Sequence, residues 1–130
     1  MVEQLAPCRV LVIDDFADAA STLVLQLKHA GCESTYVTDP RDAVAIAEKF
    51  RPDAVLLDIG MPHINGYELA PMLRRALAPR SIRVVAITAW GSAKDREMSR
   101  ACGFDAHLVK PVVMDAMLTT LGTLLQRDLR

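Results

Sequence analysis

The sequence predicts an α/β domain built on a doubly wound parallel sheet with helices on both faces. Three largely apolar runs, residues 9–13, 54–57 and 84–87, have the length and composition of strands buried on both faces. Such runs alternate along the chain with segments whose apolar residues recur at helical spacing. Short connections between these elements require right-handed crossovers, which place the strands parallel in one sheet.

The first half of the chain divides into two strand-helix pairs. A helix over about residues 17–30 has one apolar stripe and is closed by Gly31. The next strand, residues 33–37, is more polar and partly alternating, which is typical of an edge strand. The pair Asp39-Pro40 predicts the start of a second helix, because aspartate caps a helix well and proline suits its first position.

The second half contains three more strand-helix pairs. The third helix begins near Gly66, and Pro71 within it predicts a kink or a weakened first turn. Ser92 followed by Asp95 is similar to a capping box and would start a fourth helix, whose short apolar stripe anchors it thinly. The elements of this half are strands at 54–57, 84–87 and 106–109 and helices at about 66–77, 92–102 and 114–125.

The order of the strands follows from their polarity. The strands at 33–37 and 106–109 are not apolar throughout and are predicted at the edges, which leaves the other three at the centre. Strand order 2-1-3-4-5 satisfies this, and all carboxyl ends then share one edge of the sheet. Five polar residues stand at or directly after these ends and are predicted to converge in one pocket: Asp14, Asp15, Asp58, Thr88 and Lys110.

The chemistry of such a pocket follows from its residue types. Three carboxylates within a few ångströms repel one another and require protons or a cation. Oxygen ligands without a neighbouring histidine or cysteine favour a hard ion such as Mg²⁺. An aspartate can also accept a phosphoryl group, whose oxygens Lys110 and Thr88 would contact. The alternative for Asp58 is a structural role as a turn or cap residue.

Composition limits the classes of protein that the chain represents. Its 130 residues suit one domain, and a net charge of -1 without long basic runs indicates neither a nucleic-acid nor a membrane partner. The amino terminus has no secretory-signal pattern and no apolar run is long enough to span a membrane, so a cytoplasmic protein is expected. The three cysteines, Cys8, Cys32 and Cys102, are expected to be reduced and to fill space.

The five pocket residues resemble those of the receiver domain of two-component response regulators. Three dipeptides add to this resemblance: Met61-Pro62, Asn65-Gly66 and Lys110-Pro111. The resemblance covers about residues 9–125 of a single domain, 1–130, and leaves no output domain in the sequence. It implies a flavodoxin-like (βα)₅ fold and a signalling domain that catalyses only its own phosphorylation and dephosphorylation. The donor would be a histidine kinase or a histidine phosphotransfer protein, and the acceptor would be Asp58.

The resemblance also implies roles for individual residues. Asp15, Asp58 and the main-chain carbonyl of Gly60 would hold Mg²⁺, or Mn²⁺ in its place, and Asp14 would act largely through water. Lys110 would contact the phosphoryl group, and the Lys110-Pro111 peptide would be cis. The phosphoryl group would draw Thr88 inward and change a partner-binding face. This face, here called the switch face, consists of residues 92–102, His107 and residues 114–121.

Three positions depart from the common receiver pattern. Many receivers carry Tyr or Phe three residues before the lysine, and here His107 is either a titratable switch or an ordinary packing residue. Gly60 offers no side chain to the phosphoryl group, and Trp90 is large enough to shade the pocket. We predict that Gly60 and Trp90 together set the phosphoryl lifetime, so exchange of Trp90 for Ala should change the dephosphorylation rate.

Other classes of protein fit less well. A haloacid-dehalogenase-like phosphatase needs a second acid two residues after its nucleophile, where this chain has Gly60. An FMN carrier needs a phosphate-binding loop after the first strand, where this chain has an acidic pair. The main alternative is a degenerate receiver that serves as a phosphorylation-independent docking module. Residues 86–91 and 103–113 resemble receivers of hybrid histidine kinases, although the Met1 start and polar tail favour a free-standing protein.

Overall fold

Five parallel strands form one sheet in the order β2-β1-β3-β4-β5 in the computed structural model, which describes residues 8–89, 97 and 100–128. The two outer strands are the two that the sequence places at the edges, and the predicted strand order is confirmed. The strands are β1 (Arg9–Ile13), β2 (Glu33–Val37), β3 (Ala54–Asp58), β4 (Arg83–Thr88) and β5 (Ala106–Val109).

Helices connect the strands over both faces of the sheet. They are α1 (Ala17–His29), α2 (Ala43–Phe50), α3 (Gly66–Leu77) and a C-terminal helix (Met114–Asp128), and a 3-10 turn (Pro40–Asp42) precedes α2. Of the predicted fourth helix, the structure describes Glu97, Arg100 and Ala101 as helical and Cys102 as part of the turn that follows. Its predicted start at Ser92 and Asp95 lies outside the described residues, as does Trp90.

Local signals in the sequence account for the helix boundaries. The Asn65 side chain accepts a hydrogen bond from the Glu68 N–H at 2.9 Å and caps α3, and Asp39 accepts one from the Arg41 N–H at 2.9 Å. Gly31, two residues after α1 ends, has φ of 95°, which a residue without Cβ adopts readily. Helix α3 continues through Pro71 to Leu77, so this proline does not end the helix.

Two apolar clusters fill the two sides of the sheet. Successive residues of a strand point to opposite sides, so Val10 and Val12 pack with α1 and the C-terminal helix, whereas Leu11 and Ile13 pack with α2 and α3. Every residue of β3 is buried, as expected for a central strand. Within the described ranges, no helix combines the length and apolar character that a membrane crossing requires.

Candidate functional site

The carboxyl ends of the strands bring the predicted polar residues to one edge of the sheet. Asp58 and Thr88 are the last residues of β3 and β4, and Asp14 and Lys110 directly follow β1 and β5. Backbone hydrogen bonds extend the ladder past two of these ends, from the Asp14 N–H to the Val37 carbonyl and from the Lys110 N–H to the Thr88 carbonyl. The residues are therefore positioned by the sheet itself rather than by flexible loops.

The ammonium group of Lys110 faces two buried carboxylates in this pocket. Lys110 Nζ lies 3.1 Å from Asp58 Oδ2 and 3.9 Å from Asp14 Oδ2. Asp14, Asp58 and Thr88 are only 2%, 4% and 6% exposed, and Asp15 is exposed. Removing two charges from water is unfavourable unless they are paired, so Lys110 offsets part of the cost of burying them.

The three carboxylates are close enough to share a cation. One oxygen from each of Asp14, Asp15 and Asp58 lies within 4.8 Å of the others. A set made of carboxylate oxygens suits a hard divalent ion that keeps several waters, and Mg²⁺ has these preferences. The sequence-based prediction that these acids converge is therefore consistent with the geometry, and their chemistry fits the expected ion.

The environment of Asp14 disfavours its charged form. Burial is the largest cause of its raised pKa, and the nearby charge of Asp58 acts in the same direction. Two contacts oppose the rise in the pKa, a hydrogen bond from the Phe16 N–H to Asp14 Oδ1 at 2.9 Å and the charge of Lys110. A buried acid of this kind gains most from a neighbouring cation, because the cation relieves both unfavourable effects.

The loop after Asp58 folds back tightly on the end of its strand. Asp58 Oδ1 accepts a hydrogen bond from the Gly60 N–H at 3.1 Å, so this oxygen is held by the loop while Oδ2 faces Lys110. The Gly66 N–H donates a hydrogen bond to the Ile59 carbonyl at 3.1 Å. A Cβ on Gly66 would lie 2.8 Å from the Ile59 Cα, so only glycine fits this close approach.

The remaining predicted residues have mixed outcomes. The Lys110-Pro111 peptide is cis, as predicted, and a second cis peptide joins Ala78 and Pro79, which the sequence analysis did not predict. His107 is half-buried on β5, and its role as a switch stays a prediction. A Cβ on Gly60 would begin 3.9 Å from Asp58 Oδ1, so this position does border the predicted acceptor.

A groove beside the pocket was missed by the sequence analysis. It has a volume of about 590 Å³ and lies between α1 and the segment after β5. Phe16, 62% exposed, lines it directly after the acidic pair, and this exposed aromatic residue is the signal that could have indicated the groove. Its other lining residues include Asp14, Thr22, Leu23, Lys110 and Pro111.

Fold and site together define a doubly wound α/β domain with an acidic pocket and a lysine at the carboxyl edge of its sheet. The sequence profile of the response regulator receiver domain matches residues 10–122. The chain therefore belongs to the response regulator receiver domain family of two-component systems, and it is a signalling domain.

Individual relatives agree with this assignment. Transcriptional regulatory protein PrrA of Mycobacterium tuberculosis is 34% identical over 119 residues, which are 92% of this chain and 50% of PrrA. Protein PilH of Pseudomonas aeruginosa is 29% identical over 117 residues, 90% of this chain and 97% of PilH. The chain thus spans about half the length of PrrA and nearly all of PilH.

The fold is shared with solved structures of this kind. The chemotaxis protein CheY4 of Vibrio cholerae superposes with a TM-score of 0.78 at 29% identity, over 94% of this chain and 98% of that one. The receiver domain of the Francisella response regulator 1452 gives a TM-score of 0.84 at 24% identity, over 93% of this chain and 98% of that one. The second match concerns the fold alone.

Proposed function

We propose that this receiver accepts a phosphoryl group on Asp58 from a phosphohistidine donor in a Mg²⁺-dependent reaction. The observation that carries the proposal is the position of Asp58, whose Oδ2 lies 3.1 Å from Lys110 Nζ and which contributes to a cluster of three carboxylates. A structural cap would need neither a lysine contact nor two acidic neighbours. Phosphoryl transfer needs both a positioned nucleophile and neutralised oxygens.

The chain's own residues have distinct tasks in this transfer. Asp58 Oδ2 attacks the phosphorus atom, the bond from phosphorus to the donor nitrogen breaks, and an acyl phosphate results. Lys110 would move its ammonium contact from the carboxylate to a phosphoryl oxygen, and the Thr88 hydroxyl would donate to another. When bound by Asp14, Asp15, Asp58 and the Gly60 carbonyl, Mg²⁺ would neutralise negative charge on the phosphoryl oxygens. Mn²⁺ has the same ligand preferences.

The donor would be a histidine kinase or a histidine phosphotransfer protein. The groove between α1 and the segment after β5 opens beside Asp14 and Lys110, and its apolar lining suits a protein partner that must reach the pocket. We propose no nucleic-acid or membrane partner for this chain, in line with its net charge of -1. PrrA carries the name of a transcriptional regulator, and roughly half of its length lies outside the match. Because the donor of this chain would be a cellular kinase, the chain would work in the cytoplasm.

The output would be a change in the switch face. Thr88 ends β4, and its movement toward the phosphoryl group would shift the segment after it, which leads to residues 92–102. His107 on β5 and the C-terminal helix supply the rest of that face. Gly60 and Trp90 would set the lifetime of the acyl phosphate, since a side chain at position 60 would begin 3.9 Å from Asp58 Oδ1. An unchanged dephosphorylation rate after Trp90→Ala would remove that role for Trp90.

Intact-mass measurement with a small donor tests the proposal. The protein is incubated with Mg²⁺ and acetyl phosphate beside Asp58→Asn, a chelated sample and the control Asp42→Asn, whose exposed carboxylate follows β2 on the 3-10 turn. We expect the mass of one added phosphoryl group in the wild type and in Asp42→Asn. Neither Asp58→Asn nor the chelated sample should gain it.

The opposite result would redirect the assignment. No gain under any condition would favour a docking module that works without phosphorylation, or a receiver closed to small donors. A purified histidine kinase labelled on its phosphohistidine distinguishes these two, because only a closed but competent receiver would take the label. A gain in Asp58→Asn equal to that of the wild type would place the acceptor elsewhere.

A further inference from the structure

Two thiols lie side by side at the end of the sheet opposite the acidic pocket. Cys8 directly precedes β1 and Cys32 directly precedes β2, and the register that pairs Arg9 with Glu33 places the two cysteines opposite each other. Their Sγ atoms are 2.8 Å apart. Neither thiol is bonded to another cysteine, and both are buried, whereas Cys102 is exposed.

The backbone at this point already has the spacing that a disulfide needs. Neighbouring strands lie about 4.7–4.9 Å apart, and disulfides join Cα atoms roughly 4.4–6.8 Å apart. The Glu33 N–H donates to the Cys8 carbonyl at 2.9 Å, so the backbone ladder already connects the two strands here. A bond between the sulfurs would therefore require movement of the side chains but little movement of the strands.

We propose that Cys8 and Cys32 form a reversible intramolecular disulfide when a peroxide oxidises the protein. The Cys8 thiolate attacks one oxygen of hydrogen peroxide, the O–O bond breaks, and a sulfenic acid and hydroxide form. The Cys32 thiol then loses its proton to the hydroxide, which becomes water. The Cys32 thiolate attacks the sulfenic sulfur of Cys8 and displaces the sulfenic oxygen, which takes up a proton and leaves as a second water. The two thiols lose two electrons in total, and the peroxide becomes two waters.

The surroundings of Cys8 support its role as the first sulfur to react. The two sulfurs share a hydrogen bond that either thiol can donate; with Cys32 as the donor, this bond lowers the pKa of Cys8, against the opposing effect of burial, and raises that of Cys32. The thiolate is the reactive form of a cysteine, so a lowered pKa favours attack by Cys8. Cys8 also borders an open cavity of about 370 Å³, whose wall includes Arg9, Gly31 and Glu33. A peroxide is small enough to enter a cavity of that size.

The bond would close a loop that contains β1 and α1. Because both cysteines lie just before the amino ends of their strands, the acidic pocket at the carboxyl ends would remain unobstructed. Closing a loop of this length restricts the unfolded chain more than the folded one. We expect the melting temperature of the oxidised protein to rise by about 10 °C, and a thiol reductant should reverse the change.

Peptide mapping of the full chain tests the pairing without any substitution. The reduced protein is treated with hydrogen peroxide, its remaining thiols are alkylated in denaturant, and it is digested with trypsin. We expect a cross-linked pair that joins residues 1–9 to residues 29–41, with Cys102 outside it, and loss of the pair after reduction. The variant Cys102→Ser should give the same pair without forming an intermolecular disulfide.

Two results would overturn the proposal. One is full alkylation of Cys8 and Cys32 under conditions that oxidise the exposed Cys102. The other is conversion of Cys8 to a sulfinic acid while Cys32 stays alkylated, which would mean that the second sulfur cannot reach the first. The variant Cys32→Ser in the Cys102→Ser background provides a control in which no intramolecular bond can form.

Discussion

Lys110 has the most consequential contacts of the residues around the pocket. Its ammonium group is 3.1 Å from Asp58 and 3.9 Å from Asp14, and its side chain is about one-third exposed. The group therefore lies against the proposed acceptor before any phosphoryl group arrives. Its charge also lowers the pKa of Asp14, against the effect of burial. One side chain thus serves both the stability of the pocket and its proposed chemistry.

Replacement of Lys110 should impair phosphoryl transfer far more than folding. We expect Lys110→Ala to slow phosphorylation by acetyl phosphate about 100-fold, because one preorganised charge on the phosphoryl oxygens is lost. The rate is followed by intact mass over time. The control Lys49→Ala removes an exposed lysine from the last turn of α2 and should leave the rate unchanged. Equal rates for Lys110→Ala and the wild type would contradict this role.

Gly60 in the loop after β3 and Gly66 at the first position of α3 form a matched pair of glycines. Gly66→Ala should lower the free energy of unfolding by about 1–3 kcal/mol, because its Cβ would meet the Ile59 Cα at 2.8 Å and the Asp58 carbonyl at 3.1 Å. Gly60→Ala should change it by less than about 0.5 kcal/mol, since its Cβ would meet only Asp58 Oδ1 at 3.9 Å. Urea denaturation measures both. A larger loss for Gly60→Ala would contradict the geometry.

At the scale of elements, one arginine ties α3 to the beginnings of two strands. Arg74 donates to the Ile82 carbonyl at 2.9 Å and to the Gly103 carbonyl at 2.5 Å, and it pairs with Asp105 at 2.9 Å. Asp105 also accepts from the Val84 N–H at 2.8 Å. These bonds hold α3, the start of β4 and the segment before β5 in a fixed arrangement.

Loss of this arginine should weaken the whole arrangement. We expect Arg74→Ala to lower the free energy of unfolding by about 1–3 kcal/mol, since two backbone carbonyls and one carboxylate lose a donor and the site is partly exposed. Chemical denaturation gives the value. Arg75→Ala removes an adjacent exposed arginine and should cost at most about 0.5 kcal/mol. Equal losses for the two variants would show that the bonds of Arg74 contribute nothing particular.

At the scale of the whole molecule, the fold gathers charge that the unfolded chain keeps apart. Asp14, Asp15 and Asp58 are separated by up to 44 positions in the sequence, and the sheet brings their oxygens within 4.8 Å. The repulsion between Asp58 and the adjacent pair Asp14-Asp15 exists only in the folded state, and Lys110 relieves part of it. The remaining repulsion among the carboxylates therefore lowers the stability of the folded protein.

Mg²⁺ should stabilise the folded protein by binding at this pocket. At concentrations about a hundredfold above its dissociation constant, we expect the melting temperature to rise by about 5–10 °C. A thermal scan with and without a chelator measures the shift. Asp15→Asn should reduce the shift, whereas Asp42→Asn should keep it. An equal shift from a monovalent salt at matched ionic strength would mean that screening, not binding, is responsible.

Strand positions and the convergence of the pocket residues could be predicted from the sequence because both depend on local patterns. An apolar run followed directly by a polar residue marks the carboxyl end of a buried strand, and parallel strands share that edge. Asp58 at the end of β3 and Lys110 after β5 were found in this way. The fourth helix was predicted from a short apolar stripe, and only Glu97 and its last residues are among those described.

Contacts between side chains from distant elements were not predictable in the same way. Cys8 and Cys32 were interpreted as separate space-filling thiols because 24 positions separate them, and only the register between β1 and β2 places their sulfurs together. The close approach at Gly66 and the groove beside Phe16 depend likewise on how a loop and a helix pack against the sheet. Such contacts have no signature within a short window of sequence.

By itself the sequence determined the class of fold, the order of the strands and the set of residues that meet at the carboxyl edge, because apolar periodicity and strand-end residues are local properties. The tertiary structure alone decided which atoms touch: Lys110 against Asp58 and Asp14, Gly66 against Ile59, and Cys8 against Cys32. The physical reason is that register and packing place atoms within ångströms, whereas a pattern in the sequence specifies only a face or an end of an element.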